Sequence, residues 1–266
     1  MGSGVIFGGH SFPPPDIAEA LLRAAERLGP MEGRLTWHPE VTSTNTVALG
    51  LAEHGADEGS VVAAAMQTAG RGRHGRVWAS PEGAGIYASV VLRPSLRVVP
   101  LLTIAAGVAV AEGVAAATGL EPTLKWPNDL YAGGLKLGGI LAEGGTTHVV
   151  LGFGVNVLHA TMPPDVAARA TSIEHELGRP VDRGLVLAES LAAIWRRYQD
   201  LEARRVADVL DAWRARAAPM TGRPIEWDHE GVTESGHAAG IDEAGALLMK
   251  TASGTLRIVS GEVRWI

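Results

Sequence analysis

Residues 101–117, LLTIAAGVAVAEGVAAA, would be apolar around almost the whole circumference of a helix, so the segment has no face to show to water and has to be enclosed by other elements. The run ahead of Glu112 stops short of the roughly 18 residues that argue for a membrane span. It therefore reads as the buried helix of a layered body. Short apolar stretches at 61–66, 86–92, 135–143 and 149–157 supply strands to cover it, the last two joined through Gly144-Gly145. With 266 residues, 46% hydrophobic and 20% charged, the chain has enough apolar material for such a core, and its length suggests one large domain plus a small one.

The remaining elements are punctuated by capping and breaking residues. Residues 16–28 predict a helix with Asp16 as its N-cap and Gly29-Pro30 as its stop. A strand is expected at 35–37, followed by Ser43-Thr44-Asn45 as N-capping groups for a short helix. Another strand at 123–126 should stop at Pro127, leaving Asn128 and Asp129 to turn. The apolar stripe over 183–217 predicts one long helix. From Gly222 onward, short β stretches are separated by Gly and Asp/Glu, which predicts a small all-β barrel with its boundary near Pro219. Met1 to Pro15 reads as a loose arm.

Charge and composition exclude several functions. A net charge of −6 gives no general basic footprint for duplex nucleic acid. With no cysteine there is no disulfide, thiolate nucleophile or Cys-ligated zinc, and the cytoplasm is the expected compartment. The histidines, among them His74, His148, His159 and His175, lack paired metal-ligand spacing, and no GxSxG elbow appears. Only three lysines, Lys125, Lys136 and Lys250, stand against twenty arginines, and two of the three lie within residues 125–136.

Two segments carry the chemistry. GRGRHG at 70–75 matches the dinucleotide fingerprint in letters, but it is followed by Arg76, Val77, Trp78 and Ser80-Pro81 rather than by a helix, so the fingerprint does not apply. What remains is a glycine-rich loop with Arg71, Arg73 and Arg76, able to wrap a small anion, and with Trp78 as a stacking surface. KWPND at 125–129 places Lys125 and a possible Mg²⁺-binding carboxylate, Asp129, at a strand end. Lys136, between leucines and glycine pairs, requires solvent or an anionic partner.

Taken in order and spacing, Ser43-Thr44-Asn45, QTAGRGRHGR at 67–76, KWPND at 125–129, KLGGIL at 136–141 and GVNV at 154–157 resemble the biotin protein ligases. The resemblance covers about residues 35–266. It implies an α/β (α+β) fold: a mixed-sheet catalytic domain like that of class II aminoacyl-tRNA synthetases at 35–219, an arm and helix at 1–34, and a small C-terminal SH3-like β-barrel at 220–266. It further implies that ATP and Mg²⁺ activate biotin as biotinyl-5′-AMP, which is then passed to a lysine of a biotin carboxyl carrier protein. By the same resemblance Arg71, Arg73 and Lys136 are catalytic, and Ser43, Thr44, Asn45, Gln67 and Gly70 join them at biotin. ATP is assigned Arg73, Arg76, Trp78, Lys125, Asn128, Lys136 and Asn156, with Trp78 stacking on adenine and Asp129 at Mg²⁺. His74 stands where many relatives have arginine. Only some 34 residues precede the resembling part, below the roughly 50 of a typical domain, so a DNA-binding role is not expected. A monomer or homodimer without membrane contact is expected. The alternatives are a lipoate or octanoate ligase or transferase of the same fold, and a nucleic-acid-binding module using the arginine loop.

Overall fold

A computed structural model of the chain describes residues 11–145, 147–158, 164–229 and 231–266. Most of the expected N-terminal arm, and His159, lie outside the described residues. The larger sheet contains β1 (Leu35–Val41), β2 (Val61–Gln67), β3 (Gly85–Leu92), β4 (Thr123–Lys125), β5 (Asp129–Ala132), β6 (Leu135–Gly144) and β7 (Val149–Asn156). Their order is β1-β2-β3-β7-β6-β5-β4. β1 and β2 are parallel and every other neighbouring pair is antiparallel, so the sheet is mixed.

Both faces of this sheet are covered, because side chains alternate across a strand. Val61, Ala63, Val90 and Leu151 belong to the main core, whereas Val62, Val91 and Val150 face a second cluster with Ala48 and Ala52 of α2 (Thr44–Glu53). On the main-core side lie α1 (Pro15–Leu28), α3 (Leu102–Thr118), α6 (Arg183–Glu202) and α7 (Val206–Ala217). Two short helices, α4 (Pro164–Ala167) and α5 (Ile173–Leu177), follow β7.

The helix expected at 101–117 forms and is enclosed. With its preceding turn it spans Val99–Thr118, passing the expected bounds by two residues at the start and one at the end; it is apolar and long enough to cross a membrane, yet 67% of its apolar window is buried inside the protein. Glu112 is tolerated there because Arg197 and Arg196 of α6 reach its carboxylate at 2.5 and 2.7 Å.

Three local expectations need correction. Asp16 is not the N-cap of α1: Pro14 is, and Asp16 sits in the first turn, paired at 2.9 Å with Arg183. The helix predicted over 183–217 is two helices, broken where Arg204 adopts a left-handed φ of 62°. The apolar stripe continues across this short link, with Leu201 ahead of it and Val209 and Leu210 behind it buried in one core, so periodicity alone does not reveal the break. Asp129 does not turn. It opens β5, directly across from Lys125.

Beyond the turn Ala218–Met220, a five-stranded antiparallel sheet contains β8 (Pro224–His229), β9 (Val232–Ile241), β10 (Leu247–Thr251), β11 (Gly254–Ile258) and β12 (Glu262–Trp265), ordered β11-β10-β9-β8-β12. This separate sheet fits an SH3-like unit. It is tied to the larger sheet where Trp126 Nε1 donates to the Gly245 carbonyl at 2.9 Å.

Candidate active site

A cavity of about 760 Å³ opens between the loop after β2, the β4–β5 hairpin and the centres of β6 and β7. Every site residue expected from the sequence lines it except Gly70. A Cβ on Gly70 would lie 2.4 Å from the Trp78 carbonyl oxygen and 2.9 Å from Ser80 Oγ, so Gly70 serves the close packing at the base of the loop rather than the cavity wall.

One half of the cavity is built from neutral groups. β2 ends at Gln67, and α2 starts beside it. Gln67 Oε1 accepts from the backbone N–H of Thr44 at 2.9 Å and from its hydroxyl at 3.2 Å, while Gln67 Nε2 donates to Ser80 Oγ at 2.8 Å. Ser43 does occupy the N-cap of α2, but its side chain makes no capping bond; it is buried. Asn45 Oδ1 accepts from Ser89 at 2.6 Å, and Asn45 Nδ2 donates to Glu143 at 2.8 Å. The same carboxylate receives Arg71 at 2.6 Å.

The other half is cationic. Lys136 Nζ lies 2.6 Å from Asp129 Oδ1 and 5.5 Å from the centre of the Trp78 ring. Lys136 is thus not the solitary lysine its sequence neighbours suggest. Lys125 donates to the Tyr131 hydroxyl at 3.2 Å. Burial holds the Lys125 ammonium below the ordinary lysine pKa, with Lys136 and Arg223 adding to this and Asp129 opposing it. Arg73, half-buried, is lowered chiefly by burial, and Asp129 again opposes. Burial, helped by Asp129, pushes the Tyr131 phenol up to about 12.

Several residues act on the scaffold. Asn128 donates from its side chain to the Ile140 carbonyl at 2.7 Å and accepts from the Ile140 N–H at 2.9 Å, locking the hairpin turn onto β6. Asn156, buried, donates to the Thr171 carbonyl at 2.9 Å. Thr171 in turn donates its N–H to the Lys136 carbonyl at 2.9 Å, so Asn156 braces the segment that holds the lysine backbone. Trp78 lies against β7: a Cβ on Gly154 would come within 2.5 Å of the indole Nε1. The arginine loop is a folded excursion, with Gly72 N–H donating to the Arg76 carbonyl, Trp78 N–H to the Gly70 carbonyl, and His74 at a left-handed φ of 55°.

Among the described residues, no group of three or more His, Cys, Asp or Glu is placed to hold a metal ion. Asp129 stands as a single carboxylate amid cations, a donor set that suits Mg²⁺ only when phosphate oxygens complete the shell. Sequence reasoning missed Tyr131, Glu143, Arg169 and the C-terminal Gly261 and Val263. Tyr131 had a signal, since it lies two residues beyond Asp129 on one strand and shares its face. Gly261 and Val263 had none, being brought in by the second sheet.

Residues 37–156 match the biotin/lipoate A/B protein ligase family, and residues 222–264 match the biotin protein ligase C-terminal domain. The chain is 37% identical to the biotin–[acetyl-CoA-carboxylase] ligase of Mycobacterium tuberculosis, covering 83% of this chain and 85% of that protein. It is 34% identical to the bifunctional ligase/repressor BirA of Bacillus subtilis, over 94% of this chain and 79% of the relative. The biotin protein ligase from Aquifex aeolicus in complex with biotin and ATP superimposes with a TM-score of 0.78 at 29% identity, covering 88% of this chain and all of that one. The chain belongs to the biotin protein ligase family.

Proposed function

We propose that the chain attaches biotin to a carrier protein in two steps within this cavity. A carboxylate oxygen of biotin attacks the α-phosphorus of ATP, the bond to the bridging oxygen breaks, and biotinyl-5′-AMP and pyrophosphate form. A lysine amine of a biotin carboxyl carrier protein then attacks the acyl carbon, AMP leaves, and an amide remains. One observation carries this reading: a neutral hydrogen-bonding wall, Thr44 with Gln67, shares one open cavity with Arg71, Arg73, Lys125 and Lys136. Two anions cannot approach each other unless cations offset their repulsion, and fixed cations do so without reorganising.

In this reading Ser43, Thr44, Asn45 and Gln67 hold the ureido end of biotin, and Arg71 leaves Glu143 to meet its carboxylate. Lys136 bridges carboxylate and α-phosphate. Arg73, Arg76 and Lys125 take the polyphosphate, and Mg²⁺ enters as part of the ATP substrate with Asp129 as the carboxylate placed to reach it. Asn128 and Asn156 support the nucleotide by bracing β6 and Lys136, and Trp78 offers its ring to adenine. The assignment extends to the division at 34/35 and 219/220, a monomer or homodimer, the cytoplasm, and no role for DNA or membrane.

Purified protein supplied with ATP, Mg²⁺ and a biotin carboxyl carrier domain, with either biotin or lipoate, tests the substrate. Biotin should be added to one carrier lysine. Lipoate transfer without biotin transfer would overturn the reading in favour of the lipoate or octanoate ligases.

A further inference from the structure

Lys125 is held unlike Lys136 and Arg71. Lys136 is paired with Asp129 and Arg71 with Glu143, but among the described residues no carboxylate stands within ion-pair distance of Lys125. It donates instead to the hydroxyl of Tyr131 on β5 at 3.2 Å, that ring's centre lying 5.0 Å away, and stands 5.5 Å from the centre of the Trp265 ring on β12. Trp265 belongs to the C-terminal sheet, where it is paired with the buried Ile225 of β8, and the next residue, Ile266, donates its N–H to the Pro224 carbonyl at 3.1 Å. Two residues earlier on the same strand, Val263 lines the cavity. The indole Nε1 of Trp265 is buried with no hydrogen-bond partner among the described residues. An aliphatic side chain would fill this place without burying an unpaired N–H, so the ring contributes something that an aliphatic group would not.

The distinction between a ring and a carboxylate is chemical. A carboxylate fixes an ammonium by neutralising it, which weakens its pull on an incoming anion. An aromatic face attracts the cation through its quadrupole and leaves the full positive charge available. We infer that Trp265 is a positioning residue contributed by the C-terminal unit, which with Tyr131 clamps the Lys125 ammonium so that it meets the polyphosphate of ATP unneutralised. The burial that lowers the Lys125 pKa is the cost of this arrangement, and it is offset when the phosphate arrives. The inference rests on the proposed reading of Lys125 as a polyphosphate contact.

Steady-state adenylate formation and equilibrium biotin binding, measured on the full chain for Trp265→Leu, Trp265→Phe and Lys125→Met, test it. Trp265→Leu should raise the KM for ATP about three- to tenfold, leave kcat within about twofold, and leave the biotin Kd unchanged. Trp265→Phe should recover most of the loss, since it restores an aromatic face. Lys125→Met should raise the ATP KM by at least as much, and adding Trp265→Leu to it should raise the KM no further. An unchanged KM in Lys125→Met would overturn the reading of Lys125 and the clamp with it. A raised KM in Lys125→Met beside a parental one in Trp265→Leu would overturn the clamp alone, as would equal losses in the Leu and Phe variants. Should Trp265→Leu not fold, Trp265→Met carries the same expectation.

Discussion

The ammonium of Lys136 and the carboxylate of Asp129 face each other at 2.6 Å, and the lysine backbone is held by the segment that Asn156 braces. The pairing weakens the pull of the ammonium on anions but fixes its position, and in the proposed reaction a fixed donor meets the charge that develops between the biotin carboxylate and the α-phosphate without reorganising. Lys136→Met should therefore lower the pre-steady-state rate of adenylate formation by about 10²- to 10³-fold while weakening biotin binding far less. Lys250→Met, in β10 of the C-terminal sheet, is the control and should stay near the parent. A Lys136→Met rate within a few-fold of the parent would remove its catalytic assignment.

Closure of the arginine loop is open to proteolysis. Arg71 and Arg76 are exposed, and trypsin should cut there in the free protein. An enclosed adenylate is shielded from hydrolysis, so biotin with ATP should slow this cutting strongly. Equal cutting in both states would show that the loop does not close over the product.

Gly154 and Trp78 are in contact, with room for no side chain between them. Gly154→Ala should displace the indole, destabilise the fold by about 1–3 kcal/mol, and weaken ATP binding more than biotin binding. Thermal unfolding and separate titrations of the two ligands measure this. Parental ATP affinity would mean that the indole is not a nucleotide platform.

Burial works against ionisation of Glu112, but hydrogen bonds and charge from Arg197 and Arg196 outweigh it and hold the carboxyl below its usual pKa. Its folded pKa is thus depressed relative to the unfolded chain. The stability it contributes is present above the ordinary glutamate pKa and is lost as pH falls through the folded value. Glu112→Gln should flatten the acid side of the stability profile followed by urea unfolding. A variant with the parental slope between neutrality and that acid range would contradict this.

Much of the site was legible because its parts are contiguous: the arginine loop, KWPND and KLGG each keep their residues on one strand end or loop, and the fold brings these ends together. What escaped is what tertiary placement decides. Glu143 lies at the far end of β6 from Lys136 and gains its role only when Asn45 and Arg71 reach it. Trp265 comes to Lys125 from another sheet, and no spacing in the sequence announces that. The helix break at Arg204 stayed hidden because the apolar stripe runs through it, and Asp129 was expected to turn because the proline before it marks a corner that the chain completes one residue sooner.

The most direct test of the account is biotin-dependent exchange of labelled pyrophosphate into ATP by the purified chain, with no carrier protein present. Adenylate formation is reversible before transfer, so label should enter ATP only when biotin is added, and omission of Mg²⁺ should abolish it. Exchange that is absent with biotin but present with lipoate or octanoate, or present with no acid at all, would contradict it.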